Sequence, residues 1–407
     1  MKKIVKKIFI VILIIMFLLA FSKSYSTLNV DNLSVVVAMG IDVSDKNNLQ
    51  ISFQFTNPSS VSESGTSEQS PSIIYSVDAS SISSGINLIN TYIGKAVNLS
   101  HCKVIAFSEE IASIGISDEI YTLINDTQIR PSTNIVISKT SARYYLEHSK
   151  PLFENLITKY YEVFSASSSH TGFTSNATIG DFFNSLICHS CEPYAILGGV
   201  TNNSTEYSGT TNSENDTSTK ANASSLSGQS TAENTGLAVF KDDILVGELN
   251  SIETLCFSII KNQVDGFLIS VPNPNKANSY IDLHVTPLSD PDVQVKILNG
   301  TPYISINCRF TGRIYSMEDN ADYLDASLLE QVSNSCNSYL ESILTKYLYK
   351  TSKSLQSDIN GFGKIARKNF FTLNQFYDYN WNENYKDSFF NVHINSSIRS
   401  SSLLTES

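Results

Sequence analysis

The sequence predicts an α+β fold of several domains, with mixed or antiparallel sheets each flanked by helices and a long helix in the C-terminal domain. Three observations carry this. Apolar runs with period-two alternation recur in both halves, stretches of helical spacing fall between them, and 407 residues exceed the usual domain size of about 100–200 residues. The predicted organisation is a signal or anchor segment over 1–24, an N-terminal region over 25–200 that could hold two subdomains, a Ser/Thr/Asn-rich linker over 201–235 and a C-terminal domain over 236–400.

Residues 1–21 join a basic start (Lys2, Lys3, Lys6, Lys7) to an apolar run over 8–21, the pattern of a secretory signal or short anchor. Fourteen residues of helix rise about 21 Å, short of the roughly 30 Å hydrocarbon core. The lysines set the N-terminus inside and the body outside. No cysteine precedes Cys102, so no thiol near the leader can accept diacylglycerol.

In the first half, strands are predicted over 33–42 and 49–55, joined by a turn at 45–48, then over 73–77 after a polar loop at 59–72. A helix follows over 80–92 and a strand over 99–107. Ser108 then caps a helix whose acidic first turn suits its positive end, continuing over 116–124. Pro131 disfavours helix at Arg130, and a strand over 134–138 and a helix over 179–187 complete the half. The 201–235 stretch is too poor in apolar residues to repay the entropy of ordering.

The second half opens with a hairpin over 236–249 turning at Asp242-Asp243, then a helix over 252–261. Strands follow over 266–271, 281–286, 293–298 and 303–314, with Asn299-Gly300 as a hairpin turn, forming a helix-supported antiparallel sheet. A helix over 326–350 places Leu328, Val332, Cys336, Tyr339, Ile343 and Tyr347 on one stripe, which faces either the sheet or a partner. A last strand runs over 389–398.

A net charge of −11 argues against a nucleic-acid partner. The histidines at 101, 148, 170, 189, 284 and 393 fall in no zinc, phosphate-loop or serine-nucleophile motif. His101 and Cys102 point to opposite faces if that run is a strand. No catalytic residue, cofactor or metal site is expected. Cys188 and Cys191 are open to three readings: a local disulfide, two unpaired thiols, or half of a metal site lacking a second pair. Gly361-Phe362-Gly363 reads either as a tight turn seating Phe362 in the core or, with Trp381, as a partner contact.

The order of several motifs resembles the Ger(x)C family of spore germination proteins. They are Gly40-Ile41-Asp42, Asn57-Pro58, Leu99-Ser100-His101 with Lys103-Val104-Ile105, Glu109-Glu110-Ile111-Ala112, Ile129-Arg130-Pro131, Gly236 with Val239-Phe240-Lys241, and Asp358 with Gly361-Phe362-Gly363 and Trp381. With the strand over 33–37 before them and the last strand over 389–398 after them, they span about 370 residues. Ser24 stands where that family has its lipidated cysteine. The resemblance implies several mixed domains and a non-enzymatic subunit of a nutrient germinant receptor. Its partners would be integral-membrane A- and B-type subunits in the spore inner membrane, with the body on the extracytoplasmic side. The alternative is an extracellular solute-binding or cell-wall protein, which would need two doubly wound lobes or a catalytic constellation.

Overall fold

The computed structural model describes residues 33–45, 48–57, 72–150, 156–201, 231–317 and 325–400, with six leader positions. Those six, Ile4, Phe9, Ile12, Leu13, Met16 and Phe17, are helical and exposed. Ser24 and most of the 201–235 linker lie outside the described residues. No helix among the described residues is long and apolar enough to cross a membrane.

The first sheet has nine strands: β1 (Leu33–Val43), β2 (Leu49–Thr56), β3 (Ser72–Ala79), β4 (Ala96–Asn98), β5 (Val104–Ser108), β6 (Asn134–Ser138), β7 (Tyr194–Val200), β8 (Ala232–Lys241) and β9 (Ile244–Leu249). Their order is β3-β2-β1-β5-β6-β7-β8-β9, with β4 beside the start of β1. The middle of the sheet, β1-β5-β6-β7, is parallel. Every residue of β5, β6 and β7 is buried, as a parallel sheet covered on both faces requires. Helices α1 (Ile82–Ile93), α2 (Glu109–Ile114), α3 (Ser117–Asn125), α4 (Ala142–His148), α5 (Ile157–Thr171) and α6 (Ile179–Leu186) accompany it.

Two expectations change here. The run 99–107 is not one strand: the Cys102 amide donates to the Leu99 carbonyl at 2.9 Å, and this turn buries both Leu99 and Cys102. The helix from Ser108 also breaks, because Gly115 (φ 125°) separates α2 from α3. There Asp243 accepts from the Ser117 amide and its carbonyl from the Ile116 amide.

The second sheet contains β10 (Phe267–Pro272), β11 (Tyr280–Pro287), β12 (Asp292–Leu298), β13 (Thr301–Met317) and β14 (Phe389–Arg399). It is mixed, since β14 runs parallel to β13. Asn299 (φ 51°) and Gly300 (φ 83°) make the β12–β13 turn, both left-handed as a tight hairpin demands. Strand β13 shares one edge between β12 (301–307) and β11 (310–317), leaving its other edge to β14.

Helix α8 (Ala326–Tyr349) supports this sheet, and helix α7 (Ser251–Ile260) lies between α8 and strands β8 and β9 of the first sheet. Helix α8 lies along the outer edge of β14, where Ser333, Asn337 and Glu341 accept from the amides of Ile398, Ser396 and Ile394. Side chains spaced four apart on one helix face thus cover an edge that would otherwise pair with another chain. The buried stripe of α8 is Val332, Cys336, Leu340, Leu344, Tyr347 and Leu348. Of the expected stripe, Leu328, Tyr339 and Ile343 are only half-buried.

Strands β8 and β9, grouped by sequence with the C-terminal domain, complete the first sheet. Val200 pairs with Ala232 and Ile196 with Leu237, so the predicted 201–235 linker joins neighbouring strands of one sheet, and its last four residues, 232–235, already belong to β8.

Candidate functional site

Two features read separately in the sequence, the Cys188/Cys191 pair and the Gly361-Phe362-Gly363/Trp381 set, meet in one place. Asp358, 1% exposed, precedes the short helices α9 (Phe362–Ala366), α10 (Leu373–Tyr379) and α11 (Trp381–Asn384). Its Oδ1 accepts from the Gly361 and Phe362 amides at 2.9 and 3.1 Å, and its Oδ2 from the Gly363 amide and Trp381 Nε1 at 2.8 Å each. Four donors saturate the acceptor sites of one carboxylate. Burial raises its pKa above the usual carboxylate range, and the four donors oppose that rise.

Gly361 (φ 74°) supplies the left-handed turn. At Gly363 a Cβ would stand 2.4 Å from the Ser190 carbonyl oxygen and 2.5 Å from Trp381 Cδ1, so only glycine lets the two segments touch. Ser190 lies within the loop closed by the Cys188–Cys191 disulfide.

Glu192 follows that loop directly and is 2% exposed. Its amide donates to the Asp358 carbonyl at 3.2 Å. Its carboxylate accepts from the Asp242 amide in the β8–β9 turn at 2.7 Å and from Asn382 Nδ2 at 2.8 Å. Burial pushes the Glu192 pKa up to about 8, with Asp242 and Asp358 adding repulsion and Lys241 opposing it. The Ser357 hydroxyl donates to the Phe240 carbonyl, and Lys350 Nζ reaches Glu253 and the Glu248 carbonyl. The segment after α8 therefore fastens the second sheet to β8, β9 and the disulfide loop of the first.

The expected contact residues are placed differently from a contact surface. Phe362 and Trp381 are each 1% exposed and Gly363 is buried; Gly361 is half-buried. Phe362 lies near Tyr385 and Phe390, and Trp381 near Tyr385. Aromatic composition suits an interface anchor and a core side chain equally, and here the indole N–H finds its partner inside. Sequence reading named Asp358 only within the terminal motif, without its role, and missed Glu192. Asp358 had a signal, since an acid three to five residues before a Gly-x-Gly turn can accept from successive amides; Glu192 resembled a polar loop residue beside Cys191.

The arrangement suits holding segments together rather than bond-making. Burial pushes the thiols of Cys102 and Cys308 up to about 12 and that of Cys336 to about 11, and raises Cys256 well above its usual value. Such thiols are weak nucleophiles at neutral pH. Among the described residues no three His, Cys, Asp or Glu side chains converge as metal ligands.

The other motifs have structural occupations of the same kind. Asp42 caps α4 by accepting from the Ala142 and Arg143 amides at 2.6 and 3.0 Å. At Gly40 a Cβ would meet Ala142 and Leu146 of that helix at 3.2 Å. The carbonyl of Pro131 accepts from the Gly180 amide at the start of α6. Lys139 is held by both Glu109 and Glu248. At Gly236 (φ 99°) a Cβ would collide with the Leu249 carbonyl oxygen at 2.3 Å.

Two family models match the chain, a spore germination protein N-terminal domain over residues 26–197 and a spore germination B3/GerAC-like C-terminal domain over residues 235–402. Spore germination protein KC of Bacillus subtilis (strain 168) is 21% identical over 372 residues, covering 89% of this chain and 88% of that protein. The crystal structure of the GerBC protein superposes with a TM-score of 0.51 at 17% identity, covering 88% of this chain and 96% of that one, which is likeness of fold. With both halves matched in order, the chain belongs to the Ger(x)C, or GerAC-like, family of spore germination proteins.

Proposed function

We propose that this chain is a non-enzymatic, membrane-associated C subunit of a nutrient germinant receptor in the spore inner membrane, its body on the extracytoplasmic side. Its partners on this reading are integral-membrane A- and B-type subunits. The observation that carries the reading is the ordered pair of family matches across 26–197 and 235–402. The leader adds to it, with four lysines followed by fourteen apolar residues that favour insertion with the N-terminus inside. A non-catalytic role is supported by the site's use of its acids, since Asp358 is engaged by four donors and Glu192 by two.

Co-purification from spore inner membranes in mild detergent tests this. The expected result is recovery of integral-membrane germinant-receptor subunits with the tagged chain. Their absence, with the chain itself recovered intact from the membrane fraction, would overturn the proposal.

A further inference from the structure

The first sheet has one end at which β1, β4, β5 and β6 all begin, because these strands run parallel. Two observations distinguish that end. Edge strand β3 and helix α1 form a groove lined by Tyr75, Leu88 and Tyr92, with Ile73 two residues along β3. Tyr92 is 78% exposed, Tyr75 50%, Ile73 42% and Leu88 41%. The turns entering β4, β5 and β6 carry exposed Lys95, His101 and Arg130. The acids nearby are Asp78, which lines the groove at the end of β3 away from Ile73, with Asp126 and Glu162, and Glu162 is paired with Lys103 at 3.0 Å. Elsewhere the body is acidic: removing the four leader lysines leaves 28 − 4 = 24 basic residues against 39 acidic ones.

We infer that this end of the sheet rests on an anionic lipid surface, with Tyr75, Leu88 and Tyr92 in the headgroup region and Lys95 and Arg130 on lipid phosphates. The inference rests on the proposal that the leader holds the chain to a membrane. Leu33, the first residue of β1, pairs with Ala96 at this end. Only residues 22–32 separate Leu33 from the apolar run, and eleven residues reach at most about 38 Å when fully extended. A tether leaving from Leu33 favours this end over the end carrying α2, which lies the whole length of β1 farther along the chain. Tyrosine is suited to the place, with a ring for the acyl boundary and a hydroxyl for water. Basic side chains add attraction to anionic lipid within a Debye length of the surface.

The test uses the full chain in vesicles of mixed phosphatidylcholine and phosphatidylglycerol, labelled with an environment-sensitive dye at Tyr92→Cys, at Leu88→Cys, or at Ser113→Cys on the opposite end. Headgroup-level spin-labelled lipid is the quencher. Quenching several-fold greater at 92 and 88 than at 113 is expected, and Lys95→Glu with Arg130→Glu should at least halve it. Chain that floats with the vesicles yet shows equal quenching at all three sites would overturn the inference while leaving the tether intact. Chain that does not float would overturn the tether and the inference with it. Quenching unchanged on pure phosphatidylcholine would overturn the anionic preference, and protection of position 92 only by co-purified membrane subunits would give the groove to a protein partner instead.

Discussion

Replacing Asp358 by Ala removes the acceptor for the Phe362 and Gly363 amides and for Trp381 Nε1, while the Gly361 amide keeps the Asp358 carbonyl. Three buried donors are left unpaired, each costing about 1–3 kcal/mol. The native carboxylate bears a desolvation cost of several kcal/mol that the variant escapes, and removing one partner from a buried charged network typically costs about 3–5 kcal/mol net. At about 2–4 °C per kcal/mol for a body of this size, the melting midpoint should fall by about 10 °C. The assay is thermal melting of the detergent-solubilised chain by circular dichroism, followed in parallel by tryptophan emission. Trp381 is the sole tryptophan, so its emission reports the site and should shift to the red as the indole loses its partner and gains water. Asp358→Asn, which keeps one acceptor oxygen but turns an NH2 toward two donors, should fall between. An Asp358→Ala chain melting within about 2 °C of the parent, with unshifted emission, would refute the reasoning that this carboxylate organises the joint.

Glu192, with a pKa raised to about 8, holds its proton in the native state at pH values where the unfolded chain has lost it. The native state therefore binds more protons than the unfolded state between about pH 4.5 and 8, so stability falls as pH rises through that window, by about 5 kcal/mol in full. Glu192→Gln should flatten the urea-midpoint profile across that window, and an unchanged slope would remove Glu192 as its cause. Because the Thr201 amide donates to the Thr231 carbonyl at 2.9 Å, the ends of the intervening segment are already adjacent. Replacing 202–230 by a four-residue turn should leave the melt unchanged or raise stability by up to about 2 kcal/mol, and a collapse would show that the segment contributes to the core. The N-terminal peptide should carry no diacylglycerol, as Ser24 offers no thiol; a lipid adduct there in the mass spectrum would refute this.

Local pattern made several elements legible. A β-branched apolar run located β1 and strict alternation β2, Asn299-Gly300 marked the β12–β13 hairpin, and Ser108 and the spacing after Ala326 located α2 and α8. Strand β7 was not legible: its Gly198-Gly199 interrupts a fully buried run, and glycine inside a strand reads as a breaker. Nor was the joining of β7 to β8, because Ile196 and Leu237 are 41 residues apart and nothing in either run names its partner. The α8 stripe drifted because the helix buries residues mostly at four-residue steps along β14. In the site, glycine spacing pointed to the turn at 361–363, yet whether Phe362 and Trp381 faced inward depended on the Cys188–Cys191 loop arriving beside them.

That arrival has a consequence for how the two halves relate. The interval between the family matches, 198–234, lies where the chain passes from β7 to β8 within one sheet. Leu237, Ala238, Val239 and Phe240 of β8 are wholly buried, and without them β7 would be left with an open apolar edge, a hazard for stray pairing. Glu192 in the first half needs Asp242 and Asn382 from the second, and Asp358 in the second receives the Glu192 amide from the first. Each half thus supplies groups whose burial is satisfied only by the other. A buried polar network of this kind is costly when half-made, so displacement of the second sheet relative to the first has to break the Asp358–Glu192 joint as a unit rather than loosen it by degrees.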